Sequence, residues 1–370
     1  MSGRFTVTYR VRASAAEIEA RAQAIAVEQS VEMPLAAIDD PVVLAEIVGA
    51  VEGIDDLGAG LFAVRIGLAT ATIGSDAGQL LNMLFGNTSL HDDVVLADVA
   101  VPESLRLAFG GPRHGIGELR HRLQLHHRAL TGSALKPQGL PVDRLALLAE
   151  RFARGGLDFI KDDHGLADQD YSRFADRVRA CAEGVARGVR STGHPTRYIP
   201  SLTGDLDQMR AQATLARDLG LDTVLLAPMV CGFPTVQALR RDFPEMAIFA
   251  HPSLGGAARI APDLLIGGLF RLVGADAVIF PNHGGRFGYA PATCQRLAAA
   301  ARRTDDGLRP ALPVPAGGMT VARTGEILDF YGPDTMLLIG GNLLMARDHV
   351  TAEAEAFVRA VADHRYRGEE

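Results

Sequence analysis

Cysteine is scarce in this chain of 370 residues: Cys181, Cys231 and Cys294 are the whole complement. Three thiols cannot all pair, and their spacing fits no zinc module, so neither a disulfide framework nor a structural zinc site is expected. A reducing cytoplasm is the expected home. Cys181 lies on an apolar helical stripe, which predicts packing rather than chemistry. No apolar run reaches membrane-spanning length, because the best stretch, 264–280, is broken by Arg271 and Asp276. The opening residues, MSGRFTVTYR, have no apolar signal core. Basic excess is missing too: 37 Lys and Arg against 44 Asp and Glu leave a net charge of −7. That balance disfavours nucleic acid and anionic membrane as partners.

What is present is an ordinary globular composition, 48% hydrophobic and 22% charged, on a chain long enough for a large core. Phe5, Val7, Tyr9 and Val11 alternate with polar residues, the period of a half-buried strand. Ser14 is placed to cap a helix running to about Gln29, with Ile18, Ala22 and Ile25 on one face. Further strands are predicted over 62–68 and 94–101, and a helix over 76–85. Mixed elements of this kind predict a small α+β, ferredoxin-like domain over residues 1–130, with GGPRHGI at 110–116 as a turn leading out of it.

From residue 131 to 370 the pattern becomes regular. Eight short apolar runs recur near 133–136, 157–161, 198–202, 223–227, 247–251, 277–281, 313–316 and 335–339. Amphipathic helices lie between most of them and end at glycine, as at Gly155, Gly193, Gly220 and Gly332. Eight strand–helix units predict a (β/α)8 barrel, with a doubly wound open sheet as the competing arrangement. In a barrel the chemistry sits at the C-terminal strand ends. Those ends carry Lys136 and Gln138, Lys161 to His164, Ser201, His251, Asn282 and His283, Gly317-Gly318, and Gly340-Gly341.

GGLDFIKDDH, at 155–164, is the strongest local signal. Three readings stand side by side. Asp163, His164 and a carbamate on Lys161 could bind a divalent metal. Lys161 could be a Schiff-base nucleophile, although Asp162 and Asp163 favour its ammonium form. The stretch could also be a solvated loop with a local ion pair. Lys136, in LKPQG, is either a desolvated proton acceptor or a surface lysine. The glycine pairs after the seventh and eighth strands suit a phosphate, though glycine is also the commonest turn residue. Among the histidines, His164, His251 and His283 fall at strand ends, whereas His121, His126 and His127 read as solvated residues on a helix.

Together these motifs resemble the RuBisCO large-chain family, specifically its RuBisCO-like (form IV) members. The resemblance rests on FGGPRHGI, LKPQGL, GGLDFIKDDH, PVPAGG and IGGN, five motifs in order at the matching strands. It implies that Lys161 is carbamylated by CO2 and, with Asp163, binds Mg2+ or another divalent metal. It implies that Lys136 abstracts a proton, that Gly318, Gly340 and Gly341 hold a phosphate, and that Glu28 and Asn87 are lent to the neighbouring subunit's site in a homodimer.

The departures from that pattern are informative. His164 stands where the family has a metal-ligating glutamate, Gln138 replaces a second lysine, and Arg286 replaces a mobile-loop lysine. The second phosphate site is dismantled: Pro252, after His251, replaces an arginine, Ile279 a histidine and Ala316 a serine. Apolar residues cannot satisfy a dianionic phosphate. The resemblance therefore implies metal-assisted enolisation of a singly phosphorylated keto-sugar, with 5-methylthioribulose 1-phosphate isomerisation first. His251 and Gln138 are further substrate-binding candidates. A decarboxylase of a 3-oxo sugar-acid phosphate, of the 3-oxo-isoapionate 4-phosphate type, is the alternative, followed by a Schiff-base aldolase and a non-catalytic sugar-phosphate-binding protein. CO2 fixation is not expected.

Overall fold

The period-two alternation near the start is realised as an edge-to-edge antiparallel sheet. A computed structural model describes residues 3–125 and 127–366. Strand β1 (Arg4–Arg12) leads to helix α1 (Ile18–Glu28), then to β2 (Ala50–Asp56), β3 (Leu61–Ala69), helix α2 (Ala77–Phe85) and β4 (Val94–Val99). The strands assemble in the order β2-β3-β1-β4. Val7, Tyr9 and Val11 bury one face completely, as alternation requires. Ser14 is not the cap of α1. Glu17 occupies that position, and the Ser14 hydroxyl donates to the Glu17 carboxylate instead. Asp76 does cap α2, accepting from the Gln79 amide at 2.8 Å.

Two helices bridge to the second sheet: α3 (Glu103–Phe109) and α4 (Gly115–Leu123). Ile116, Leu119 and Leu123 of α4 belong to the apolar cluster that fills the second sheet, so α4 plugs its lower end. His121 on α4 is exposed, as is His127 beyond it, whereas His126 lies outside the described residues.

The second sheet follows the regular alternation. Its units are β5 (Leu130–Leu135), α5 (Val142–Arg154), β6 (Phe159–Asp162), α6 (Phe174–Thr192), β7 (Arg197–Ile199), α7 (Leu206–Asp218) and β8 (Thr223–Leu226). After β8 come α8 (Pro228–Cys231), α9 (Phe233–Asp242) and β9 (Ala247–Ala250). A π-wound stretch at Asp263–Leu269 runs into α10 (Phe270–Leu272), followed by β10 (Ala277–Pro281) and α11 (Pro291–Arg302). The series ends with β11 (Leu312–Ala316), α12 (Thr324–Tyr331), β12 (Met336–Leu338), α13 (Gly341–Leu344) and α14 (Val350–Ala362).

All eight strands are parallel, in the order β7-β6-β5-β12-β11-β10-β9-β8. The remaining gap is bridged between Ser201 and Leu225, where the Leu225 amide donates to Pro200 at 2.9 Å. A closed sheet, not the open alternative, follows. Phe159, Ile199, Phe249, Ile279 and Val314 fill its interior. Gly155 follows the last residue of α5 as expected, at φ −75°, and Gly156 takes the left-handed turn at φ +77°. No helix among the described residues is long and apolar enough to cross a membrane.

The lower ends of the strands are tied by buried acids. Asp158, just before β6, accepts from both Arg128 nitrogens at 2.7 and 2.8 Å, from the Thr131 amide at 2.7 Å, and lies 2.9 Å from His194 Nε2. Burial opposes its charge, but the bonds from His194 and Arg128 hold its carboxyl below the usual carboxylate range. A depressed carboxylate contributes stability above its unfolded pKa and loses it as pH falls. We therefore expect Asp158→Asn to cost about 3 kcal/mol at neutral pH. In urea titrations the deficit should shrink below about pH 4.

Candidate active site

Alternation along β6 assigns its residues to opposite faces. Phe159 and Lys161 face the barrel interior, while Ile160 and Asp162 face the helices. Asp162 consequently meets Arg177 of α6 at 3.1 Å, the Tyr198 hydroxyl at 2.7 Å and the Ser201 amide at 3.2 Å. It anchors the strand and is withdrawn from the mouth.

Lys161 is 3% exposed, and its ammonium nitrogen donates to the Asp162 carbonyl at 2.7 Å. Burial lowers its pKa to about 8, with Asp163 opposing and Lys136 assisting. Asp163 and Asp162 favour its charge, as expected, but burial outweighs them. Nor is this stretch a solvated loop, since Lys161, Asp162 and Asp163 are all buried.

Asp163 gathers the other groups. Lys136, one residue past β5, reaches it at 2.6 Å, and His164 Nδ1 stands 3.4 Å away. Burial raises the Asp163 pKa, but His164, Lys136 and Lys161 together hold it well below the usual carboxylate range. Lys136 is half-buried, not a free surface lysine, and its Cε lies beside Gly340. His164 stacks on His251, with ring centroids 4.0 Å apart and planes 12° from parallel. Burial and the charge of Lys161 push His251 far below the ordinary histidine range, so it is neutral. The structure thus brings together Lys136, Lys161, Asp163, His164 and His251 from three strand ends.

Other candidates sit further out. Gln138 is exposed after β5, but its amide packs against Gly165, where a side chain would displace it. Arg286 is exposed after β10, its guanidinium 4.7 Å from the centre of the Phe287 ring. Gly318 has φ +69°, and a Cβ there would stand 2.6 Å from the Gly285 Cα. Gly340 precedes the single turn of α13 at Gly341–Leu344. His283 packs on Phe330, with ring centroids 4.3 Å apart. In the first sheet's neighbourhood, Asn87 donates to Glu28 at 3.0 Å and to Glu32 at 2.7 Å.

Comparison with known proteins adds identity to this geometry. Residues 115–261 match the family model for the ribulose bisphosphate carboxylase large chain, catalytic domain. A 5-methylthioribulose-1-phosphate isomerase from Rhodospirillum rubrum is 60% identical, over 100% of this chain and 99% of that protein. The chain belongs to the RuBisCO-like protein family. Ribulose bisphosphate carboxylase-like protein 1 from Rhodopseudomonas palustris is 53% identical over 98% of this chain and 99% of its own. The crystal structure of a Rubisco-like protein from the same organism superposes with a TM-score of 0.93 at 47% identity, covering 100% of both chains.

Sequence reasoning about this RuBisCO-like chain missed four residues that touch its candidate residues. Glu32 follows α1 at φ +52°, off any periodic pattern. Gly165 gives room to Gln138, and Gly285 meets Gly318. Ser253 bonds His251. The glycine pairs drew attention as phosphate holders, but a second pair at Gly284-Gly285 was the available signal that two backbones approach closely.

That approach is testable. Gly318→Ala adds a Cβ against backbone at a positive φ, a conformation costing about 1–2 kcal/mol for a non-glycine residue. We expect the loop after β10 to be displaced and trypsin to cleave after Arg286 severalfold faster. Equal cleavage rates in variant and parent would contradict the packing.

Proposed function

We propose that this RuBisCO-like chain isomerises 5-methylthioribulose 1-phosphate, or a close singly phosphorylated keto-sugar, by enolisation and without fixing CO2. The whole-length likeness to the R. rubrum isomerase carries this reading. The site supports it chemically. Ile279 is 2% exposed within the barrel's apolar filling, and neither it, Ala316 nor Pro252 offers a side-chain donor to a second phosphate. One phosphate is assigned to the backbone at Gly318, Gly340 and Gly341, and an apolar thioether end suits the remainder.

Lys136 is the proposed base. It would leave Asp163 and take the proton from the carbon next to the substrate carbonyl. The C–H pair becomes a C=C bond, and the carbonyl pair moves onto oxygen. The proton of the neighbouring hydroxyl then passes to that oxygen while the first proton returns to the former carbonyl carbon, so the carbonyl has moved one carbon along with no net change in electrons. His251 and Gln138 line the approach, and Arg286 is placed at its outer edge.

A metal fits these residues on one condition. Among the described residues no three His, Cys, Asp or Glu side chains form a ready donor group. A carbamate on Lys161 would supply the missing oxygens beside Asp163 and His164. Only a neutral amine captures CO2, and the lowered pKa of Lys161, about 8, favours that form. Mg2+ or another divalent ion held there would supply electrostatic stabilisation for an oxygen turning negative.

The same buried Lys161, with its lowered pKa, also favours a second reading, an imine-forming aldolase. Borohydride with substrate separates them: covalent capture at Lys161 would support the aldolase, and inactivation by chelator or by CO2 removal the isomerase.

We also propose a homodimer with shared sites on the family likeness alone, with Glu28 and Asn87, which are hydrogen bonded within the chain, as the residues lent across it. Two outcomes follow. Lys136→Met should lower kcat at least ~100-fold with the thioribulose phosphate, and deuterium uptake from D2O should fall with it. Mixing inactive Asn87→Ala with inactive Lys161→Ala should restore about a quarter of the native sites if subunits exchange into hybrid dimers. No recovery on mixing, with exchange verified, would remove the shared site.

A further inference from the structure

We propose that Ser253 is a positioning residue: it holds His251 Nδ1 as a hydrogen-bond acceptor, so that the ring offers Nε2–H as a neutral donor to a substrate oxygen. This rests on the enolisation reading above for the identity of that oxygen. The tautomer itself follows from the geometry. The Ser253 main-chain N–H donates to His251 Nδ1 at 3.2 Å. A backbone amide has only a proton to give, so Nδ1 must carry its lone pair. The Ser253 hydroxyl, 2.8 Å from the same nitrogen, then donates as well. The ring proton is left on Nε2, and among the described residues no protein atom accepts from it.

Three further features lock this arrangement. The His251 amide donates to Leu226 at 2.8 Å, which fixes its backbone to the ladder beyond β9. Pro252 has its φ set by its own ring and restricts His251 to extended angles, so the Ser253 amide is delivered back to the imidazole. The turn is closed by Gly255 donating to the Pro252 carbonyl at 2.9 Å. Stacking on His164 then fixes the plane of the ring. The replacement of an arginine by Pro252 thus does more than delete a phosphate ligand: it turns the strand end into a rigid histidine holder.

The chemical consequence is polarity. During enolisation a carbonyl oxygen gains negative charge, and a fixed neutral donor aimed at it lowers the barrier without first being deprotonated. The opposite tautomer would present a lone pair to the same oxygen and oppose the step.

The experiment combines spectroscopy and kinetics on the full-length protein. Nitrogen NMR of histidine-labelled protein, with His251→Gln used only to assign the signal, should show a pyridine-type Nδ1 and a pyrrole-type Nε2 for His251 without substrate. Ser253→Ala keeps the amide but loses the hydroxyl. It should move the Nδ1 resonance through the lost hydrogen bond, the amide keeping the tautomer, and lower kcat about 10-fold with KM within twofold, because the donor matters most as charge develops. Ser253→Thr should restore both. A pyrrole-type Nδ1 in the parent overturns the proposal. So does a Ser253→Ala variant that loses activity with an unchanged His251 spectrum, since that is a structural effect alone. If the parent shows the stated tautomer with an Nδ1 resonance that responds to Ser253→Ala but does not turn over the thioribulose phosphate, the isomerase reading fails and the positioning role stands.

Discussion

The site depends on a shortage of negative charge around two lysines. Lys136 and Lys161 share a single inward carboxylate, Asp163, because strand alternation sends Asp162 to the helix layer. Two ammonium groups against one acid, with Lys161 fully buried, is an expensive arrangement. Losing the proton from Lys161 relieves it, and this is the direction in which its pKa moves. An uncharged buried amine is also the form that reacts with CO2 or a carbonyl. The lowered pKa of Lys161 therefore follows from burial and from which way two adjacent aspartates point.

The same strand fastens the scaffold from its other face. Asp162 receives Arg177, Tyr198 and the Ser201 amide, tying β6 to α6, to β7 and to the point where the barrel closes. Below it, Asp158 gathers Arg128, Thr131 and His194. The inward side chains are thus presented by a strand restrained at both ends, which suits a site whose donors must be positioned before substrate arrives.

All eight barrel strands were legible in the sequence, because each is an apolar run bounded by turn residues. β2 was not: Ala50–Asp56 is an exposed strand with charges and a glycine, and it lacks the alternation that marks β1. Lys136, Lys161 and Asp163 were legible from their position at strand ends, and the structure places them together. The stacking of His164 on His251 was not, since residues on separate strands reveal a contact only once the barrel closes. Ser253 was hidden for a different reason. The family resemblance points to Pro252, and the small residue beside it carries no pattern of its own. Glu32 lies in an irregular turn, where neither periodicity nor motif operates.

The backbone-to-backbone seat between Gly285 and Gly318 couples two loops that belong to different strands. Neither can be lengthened, recoloured with bulkier residues or exchanged for a homologous segment without refitting the other. Redirecting this scaffold toward a new sugar would therefore mean transplanting both segments as one unit, and ancestral changes in either should have been accompanied by changes in its neighbour.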